Sequence, residues 1–350
     1  MKPLNLVELK PATATEDTWQ QLLSQAITDP AELIRALNLP DEMIPAARQA
    51  NKDFSLRVPA PYLQRINPGD LNDPLLRQVL PVAEETEVVP GYITDPLAEA
   101  DSNPHDGLIH KYKGRVLVIL TGACAINCRY CFRRHFPYED NRLGPDQWQQ
   151  VIDYIAGDNS IKEVIFSGGD PLATNDKRLD KLISSLEAIH HLQRLRIHSR
   201  LPVVIPQRIT PELTQRLADS RLKTVMVLHI NHANEIDAEV AAAVTQLKQA
   251  DVTVLNQAVL LRDVNDSVEA LENLSEDLFA AGILPYYLFT FDPVAGAAHF
   301  DIADAQAQAL MSQLQSRLPG YLVPKLAREI PGRASKTLLP VSSTKTTQTE

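Results

Sequence analysis

The chain has 350 residues, of which 44% are hydrophobic, and its 34 Lys and Arg against 44 Asp and Glu give a net charge of −10. An acidic balance argues against non-specific binding to nucleic acid or to anionic membranes, because both need clustered positive charge. No apolar run approaches the roughly 18 residues of a membrane helix, so we expect a cytoplasmic protein whose ligands are small molecules.

Residues 1–110 predict a mainly helical, proline-rich N-terminal appendage. Short helical patterns over 19–27 and 30–37 precede a stretch in which ten of the 25 prolines lie between Pro40 and Pro104. Proline removes a backbone donor and biases the preceding residue away from helix. We therefore expect short helices joined by extended linkers here, and no sheet.

Residues 111–320 predict parallel βα units, because short runs of branched residues alternate there with helical patterns. The six runs begin near Val116, Glu163, Leu195, Thr224, Val252 and Ile283. Pro145 and Pro211 occupy first-turn positions of helices, and Gly282 can end a helix that begins near Ser267. Six units make an α/β fold that is either an incomplete barrel or an open doubly wound sheet. In both, ligands gather at the C-terminal ends of the strands.

All three cysteines, Cys124, Cys128 and Cys131, lie in a CxxxCxxC loop directly after the first predicted strand. A loop this short can bring three soft thiolates onto one centre, which would be zinc, copper(I) or an iron–sulfur cluster. With His135 as fourth ligand the centre would be a structural zinc site. A cluster with three cysteine ligands would instead leave one iron open to an exogenous ligand.

This loop, with Tyr130 before its last cysteine, resembles that of the radical S-adenosylmethionine enzymes. The resemblance implies a 4Fe-4S cluster whose open iron binds S-adenosylmethionine, on a partial six-stranded parallel (βα)6 barrel. Gly168, Gly169 and Asp170 end the second predicted strand and are similar to the family's motif for the amino group of S-adenosylmethionine. Glycines allow a ligand close to the backbone, and a carboxylate can accept from an ammonium.

A longer similarity, from about Ser55 to Lys336, is to the lysine 2,3-aminomutases. Its motifs include Arg65-Ile-Asn-Pro, Leu108-Ile-His-Lys-Tyr-Lys-Gly-Arg, Cys131-Phe-Arg-Arg, His229-Ile-Asn-His, Asn256-Gln-Ala-Val-Leu-Leu-Arg and the segment Tyr286 to Phe300. The resemblance implies pyridoxal 5′-phosphate bound through Lys336, in residues 321–341, which we treat as a C-terminal segment. The family's glycine run before this lysine is replaced here by Arg333, Ala334 and Ser335. Family positions around the cofactor fall on His110, Arg115 and Gln257.

The same resemblance implies how an amino-acid substrate is bound. Arg133 lies at the position that grips the substrate carboxylate, which arginine can bind with two parallel hydrogen bonds. Asp292 and Glu329 occupy two acidic positions, and a buried ammonium needs such carboxylate partners. Glu329 replaces the usual aspartate. The implied substrate is therefore L-lysine, with arginine left open.

The implied activity is that of an isomerase converting (S)-α-lysine to (R)-β-lysine. The resemblance implies that an electron donor reduces the cluster, and that the reduced cluster cleaves S-adenosylmethionine to a 5′-deoxyadenosyl radical. The radical takes a hydrogen from carbon 3 of the lysine aldimine, and the imine lets the nitrogen move between carbons 2 and 3. Homo-oligomerisation is an open possibility.

The ending Pro-Gly-x-x-Ser-Lys, with few residues after it, is similar to the branch of the family that supplies (R)-β-lysine for modification of elongation factor P. That factor and its lysyl-transferring ligase are thus implied as functional partners. A catabolic or osmolyte-forming aminomutase and a non-catalytic zinc-binding interaction protein remain as alternatives. The Ser/Thr-rich tail, 342–350, is expected to be disordered.

Overall fold

The computed structural model describes residues 18–99, 102–139, 141 and 143–341, so the predicted disordered tail lies outside it. The N-terminal part contains short helices, as predicted: α1 (Trp19–Ser24), α2 (Pro30–Ala36), α3 (Ile44–Asp53), α4 (Ala60–Leu63) and α5 (Pro74–Arg77). Polar side chains begin several of them. Asp29 caps α2 by accepting from the amide of Ala31 at 3.1 Å, and Asp73 caps α5.

The central sheet has nine strands within the described part of the chain, and their order across the sheet follows the sequence. The strands are β1 (Leu108–Tyr112), β2 (Arg115–Thr121), β3 (Glu163–Gly168), β4 (Arg194–Ser199), β5 (Lys223–Leu228), β6 (Thr253–Val259), β7 (Leu284–Phe289), β8 (Lys325–Arg328) and β9 (Thr337–Leu338). Strands β2 to β8 pair in parallel, whereas β1 and β9 join the two edges antiparallel. The six predicted strands are confirmed as β2 to β7.

The expectation of no sheet in residues 1–110 was wrong at its end, because β1 begins at Leu108 and pairs with β2. Strands β8 and β9 were also not predicted, and both lie in the segment 321–341. They have four and two residues, too few for a pattern of alternating burial to show in a sequence. The segment that contains Lys336 is therefore joined to the same sheet as the cysteine loop.

Seven helices lie after the first parallel strand: α6 (Pro145–Gly157), α7 (Asp176–Glu187), α8 (Leu201–Val204), α9 (Pro211–Ala218), α10 (Ala238–Gln249), α11 (Val268–Ala280) and α12 (Asp304–Arg317), counted over the described ranges. The predicted first-turn prolines begin α6 and α9. Ser267 caps α11, and Gly282 follows its end with φ +84°, a left-handed conformation that favours glycine. None of the helices that the structure describes is long and apolar enough to cross a membrane.

The N-terminal helices and the sheet share one hydrophobic core, which includes Leu33, Tyr62 and Leu75 together with strand residues such as Val118 and Phe166. Polar contacts reinforce this packing. Arg65 donates to the backbone carbonyls of Val203 and Glu235, each at 2.6 Å, beyond the C-terminal ends of β4 and β5. The appendage is thus fixed beside the end of the barrel where ligands are expected.

Candidate active site

A cavity of about 820 Å³ lies inside the curved sheet and is lined by all seven parallel strands. Alternate residues of most of these strands point into it, because successive side chains of a strand face opposite sides of the sheet. The alternation is visible in Arg115, Leu117, Glu163, Ile165, Ser167, Arg196, His198, Leu255, Gln257, Tyr287 and Phe289. Many of these inward residues are polar, which is typical of a binding cavity and not of a packed barrel core.

Apart from His135, which was suggested only for the zinc alternative, the cavity brings together every predicted site residue except one: Arg115, Cys124, Cys128, Tyr130, Cys131, Arg133, Gly168, Gly169, Asp170, Gln257, Asp292, Glu329 and Lys336. The exception is His110. Its ring lies on the other face of β1, where Nδ1 is 2.7 Å from the hydroxyl of Tyr154 in α6. Its neighbour Lys111, on the opposite face of the strand, lines the cavity instead.

The three thiols lie on the loop between β2 and α6, at the C-terminal end of the parallel strands. Burial raises the pKa of Cys124 well above its usual range, and burial together with Cys128 raises the pKa of Cys131 to about 11. Thiolates at these positions therefore need a positive partner, which a bound metal centre would provide. Three soft donors on one short loop fit a three-cysteine cluster.

The fourth zinc ligand that the sequence suggested is not directed at this loop. The Nε2 atom of His135 lies 3.0 Å from the backbone carbonyl of Ala295, and His135 does not line the cavity. Within the described residues no group of three or more His, Cys, Asp or Glu side chains, the three thiols included, is already arranged around one ion. The donor arrangement therefore gives no support to a Cys3His zinc site.

Arg200, which the sequence analysis missed, lies beside the cysteine loop. Its Nη1 donates to Cys128 Sγ at 2.7 Å and to the Tyr130 hydroxyl at 2.8 Å. Its Nη2 donates to Glu235 at 2.8 Å and to Gln78 at 2.7 Å. A buried guanidinium is thus held against one thiol by partners from both the appendage and the barrel.

Gly168 and Gly169 allow the cysteine loop to lie directly on the end of β3. Gly168 has φ +126°, and a Cβ atom on Gly169 would stand 2.5 Å from the carbonyl oxygen of Ala123. The amide of Gly169 donates to the Thr121 carbonyl at 2.7 Å. These glycines serve a close backbone approach, as expected, but the backbone that approaches is the chain's own.

The Asp170 carboxylate was expected to accept a hydrogen bond from a ligand ammonium, but in the structure it already accepts four hydrogen bonds from the protein. Oδ1 accepts from Ser199 Oγ at 2.7 Å and from the amide of Leu172 at 3.0 Å. Oδ2 accepts from the amides of Arg200 and Leu201, each at 2.8 Å. A carboxylate has about four acceptor positions. Asp170 therefore ties the ends of β3 and β4 together and has no acceptor position to spare.

Arg133 is also already paired. Nε donates to Glu99 Oε2 at 2.7 Å and Nη2 donates to Glu99 Oε1 at 2.8 Å, while Nη1 faces Ser167 Oγ at 3.1 Å and the Gly168 carbonyl at 3.3 Å. Its neighbour Arg134 is bound by Glu85 at 2.9 Å. The bidentate grip on a substrate carboxylate that the sequence predicts is occupied here by Glu99.

Two lysines and two carboxylates meet near the ends of β7 and β8. Lys336 Nζ lies 2.7 Å from Glu329 Oε2, and Lys111 Nζ lies 3.1 Å from Glu329 Oε1. Burial would raise the pKa of Glu329, but Lys336 and Lys111 outweigh it and hold this pKa at about 2. Burial, with the negative charge of Glu329 added, raises the pKa of Asp292 to about 7. The two carboxylates therefore differ in charge near neutral pH.

Other inward residues, among them His198 and His229, were not predicted to belong to the site. Their rings stand edge to face with centroids 5.8 Å apart, and burial lowers the pKa of both, that of His229 to about 4. Both are thus neutral imidazoles. Strand alternation is the signal that could have identified His198, because it lies two residues beyond Arg196 on the inward face of β4.

The chain is similar over most of its length to proteins of known activity. Residues 118–275 match the Radical SAM superfamily. The chain is 51% identical over 335 residues to the L-lysine 2,3-aminomutase of Haemophilus influenzae, covering 96% of this chain and 99% of that protein. It is 51% identical over 328 residues to the L-lysine 2,3-aminomutase of Escherichia coli K12, covering 93% and 96%. It is 35% identical over 320 residues to that of Clostridium subterminale, covering 91% and 77%.

Proposed function

The chain belongs to the L-lysine 2,3-aminomutase family and is an isomerase of the radical S-adenosylmethionine type, and from this premise we propose that it converts (S)-α-lysine to (R)-β-lysine. One observation carries the proposal. Three thiols, an amine on Lys336 and two carboxylates of unequal charge line a single cavity. A metal centre, an aldehyde cofactor and a cationic substrate each find matching groups there.

The cluster would be held by Cys124, Cys128 and Cys131. When bound, a reduced 4Fe-4S cluster with S-adenosylmethionine supplies a carbon radical able to take an unactivated hydrogen atom. The chain's own contribution is to hold the loop. Gly169 has no side chain, so the loop can pack closely against the end of β3. Arg200 holds its positively charged guanidinium next to the Cys128 sulfur.

Pyridoxal phosphate would be held by Lys336, with Arg115 and Gln257 as further contacts. When bound, this cofactor supplies a conjugated aldehyde that can carry an amino group. Arg115 points into the cavity from β2 and stacks on the ring of Tyr112 with its guanidinium carbon 4.6 Å from the ring centre. A positive charge at this position fits a phosphate.

The chain's residues also confine the reaction. Aromatic and aliphatic side chains such as Phe289, Phe291 and Leu255 line the cavity between the charged groups and exclude water. The nearby Asp292 and Glu329 provide a negative environment for an ω-ammonium, so a substrate with a neutral or acidic side chain would be disfavoured.

Anaerobic turnover tests the proposal. Cluster-reconstituted protein receives S-adenosylmethionine, pyridoxal phosphate, a reductant and either L-lysine or L-arginine, and the isomers are separated by chromatography. We expect β-lysine from the wild type and none from Lys336→Ala. Lys325→Ala is a matched control, because Lys325 also lines the cavity from β8 but contacts Tyr286 and not Glu329. If S-adenosylmethionine is cleaved while lysine stays unchanged, the proposed substrate is wrong.

We further propose that the product serves the modification of elongation factor P. Support comes from the resemblance of the Pro-Gly-x-x-Ser-Lys ending. The intact mass of elongation factor P, taken from cells with and without this gene, tests the role. Loss of one lysyl unit that is restored by the wild type but not by Lys336→Ala would support it. An unchanged mass would favour a catabolic or osmolyte-forming role.

A further inference from the structure

Glu99 is a buried acidic residue that the sequence did not identify as part of the site. It precedes β1, is 5% exposed, and forms two parallel hydrogen bonds with the guanidinium of Arg133 at 2.7 and 2.8 Å. Its backbone is anchored separately, because its amide donates to Asp95 Oδ1 at 3.1 Å. The side chain can therefore change partner while the backbone stays in place.

The donors of Arg133 are almost all used. A guanidinium has five N–H groups. Two donate to Glu99, and Nη1 faces both Ser167 Oγ and the Gly168 carbonyl, which leaves one N–H on Nη2. A second carboxylate cannot form two parallel hydrogen bonds with this guanidinium unless one of the present partners leaves. Glu99 is the partner that a substrate carboxylate can replace, because its side chain is also a carboxylate.

A second cation stands close to Glu99. Lys111 Nζ is 3.9 Å from Glu99 Oε1, the oxygen that also accepts from Arg133. The same ammonium donates to the Leu97 carbonyl at 3.0 Å and to Glu329 at 3.1 Å. A movement of about one ångström would bring Glu99 into hydrogen-bonding distance of Lys111.

We propose that Glu99 occupies the place of the substrate carboxylate on Arg133 and moves to Lys111 when the substrate binds. The inference rests on the proposed function, because it takes an α-amino acid with an ω-ammonium as substrate. In the exchange the substrate carboxylate pairs with Arg133 and Glu99 pairs with Lys111. Glu329, released from Lys111, pairs with the substrate ammonium. Every buried charge keeps a partner, so the exchange avoids an unpaired charge at either end.

The exchange makes recognition of the two ends of the substrate interdependent. A diamine such as cadaverine, which is lysine without its carboxylate, has nothing to displace Glu99. It reaches only the acidic end of the cavity. Glu99 should therefore oppose the binding of lysine but not the binding of cadaverine.

Isothermal titration calorimetry tests this on the holoprotein without reductant, so that no turnover occurs. Both L-lysine and cadaverine are titrated into wild type and Glu99→Gln. We expect the ratio of lysine affinity to cadaverine affinity to rise about tenfold in the variant, equivalent to about 1.4 kcal/mol. Glu163→Gln is the matched control, because it removes the same charge from the same cavity beside Arg196 at 3.1 Å. Its ratio should equal that of wild type.

Each outcome is decisive. If Glu99→Gln lowers the lysine-to-cadaverine ratio, Glu99 only orients Arg133 and the exchange is wrong. An unchanged ratio also overturns it. Glu99→Asp keeps the charge on a shorter arm, and it should raise the ratio by a smaller factor even if the glutamine variant does not fold. If the wild type neither binds lysine in calorimetry nor converts it in the turnover assay, the proposed function is wrong, and the inference that rests on it is wrong as well.

Discussion

Glu85 is the residue whose replacement should disturb the cysteine loop most from outside it. Its carboxylate is buried and accepts from Arg129 Nε at 2.8 Å, from Arg129 Nη2, and from Arg134 Nη2 at 2.9 Å. It also accepts from the amide of Val82 at 3.1 Å. Arg129 lies between Cys128 and Cys131, so this one carboxylate joins the N-terminal appendage to the loop.

Glu85→Gln keeps the shape but leaves two buried guanidinium groups without their counter-ion. Removing one partner of a buried ion pair costs about 3–5 kcal/mol. The glutamine oxygen can still accept one of these hydrogen bonds, so we expect a loss of about 3 kcal/mol in the free energy of unfolding, at the lower end of that range. Because the arginines flank the ligands, the variant should also take up less iron on reconstitution.

Urea unfolding of the apoprotein measures this difference, with fluorescence from Trp19 in α1 and Trp148 in α6 as the probe. Glu84→Gln is the control, because Glu84 is an exposed neighbour in the same turn and its replacement should change the free energy of unfolding by less than about 0.5 kcal/mol. If Glu85→Gln also falls within about 1 kcal/mol of wild type, the buried pairs do not hold the loop as argued.

Three further predictions concern the cavity. Gly169→Ala places a methyl group against the Ala123 carbonyl and should lower iron content after reconstitution, whereas Gly157→Ala, with no atom within 4 Å, should leave it unchanged; equal iron content would contradict the packing argument. The pKa of Asp292 near 7 lies above its unfolded value, so this group stabilises the fold at acid pH and the contribution is lost as pH rises through 7. The same ionisation should strengthen lysine binding between pH 6 and 8, and Asp292→Asn should flatten that dependence in calorimetry. His110→Phe should leave pyridoxal phosphate affinity within about twofold in a spectrophotometric titration, because the ring faces away from the cavity, and a larger loss would restore the family-based assignment.

Local patterns in the sequence predicted much of the fold. The six runs of branched residues begin within one residue of β2 to β7, because the face of each strand that the helices cover must be apolar. Prolines and Ser267 marked helix starts because their effect acts on the adjacent turn. The edge strands β1 and β9 and the short β8 were not predicted. Strands β8 and β9 are too short to show a pattern, and β1 follows the proline-rich segment in which no strand was expected.

The site residues divide in the same way. Spacing alone placed the three cysteines on one loop, and motif order brought Lys336, Asp292 and Glu329 into one cavity with them. The expected role of His110 depends on the face of β1 that its ring takes. One step along a strand turns a side chain to the opposite side, and a matched position in a family does not show where a bulge resets the alternation, as it does between Ile109 and Tyr112.

The sequence by itself determined the places of six strands, the grouping of the three cysteines on one loop and the family of the enzyme, because those depend on residues near one another in the chain or on motifs in a fixed order. Only the tertiary structure decided which charges are already paired. Arg133 meets Glu99 from 34 residues away, and Lys111 meets Glu329 from 218 residues away. A buried charge takes the nearest opposite charge in space, and that distance is set by the closure of the whole sheet.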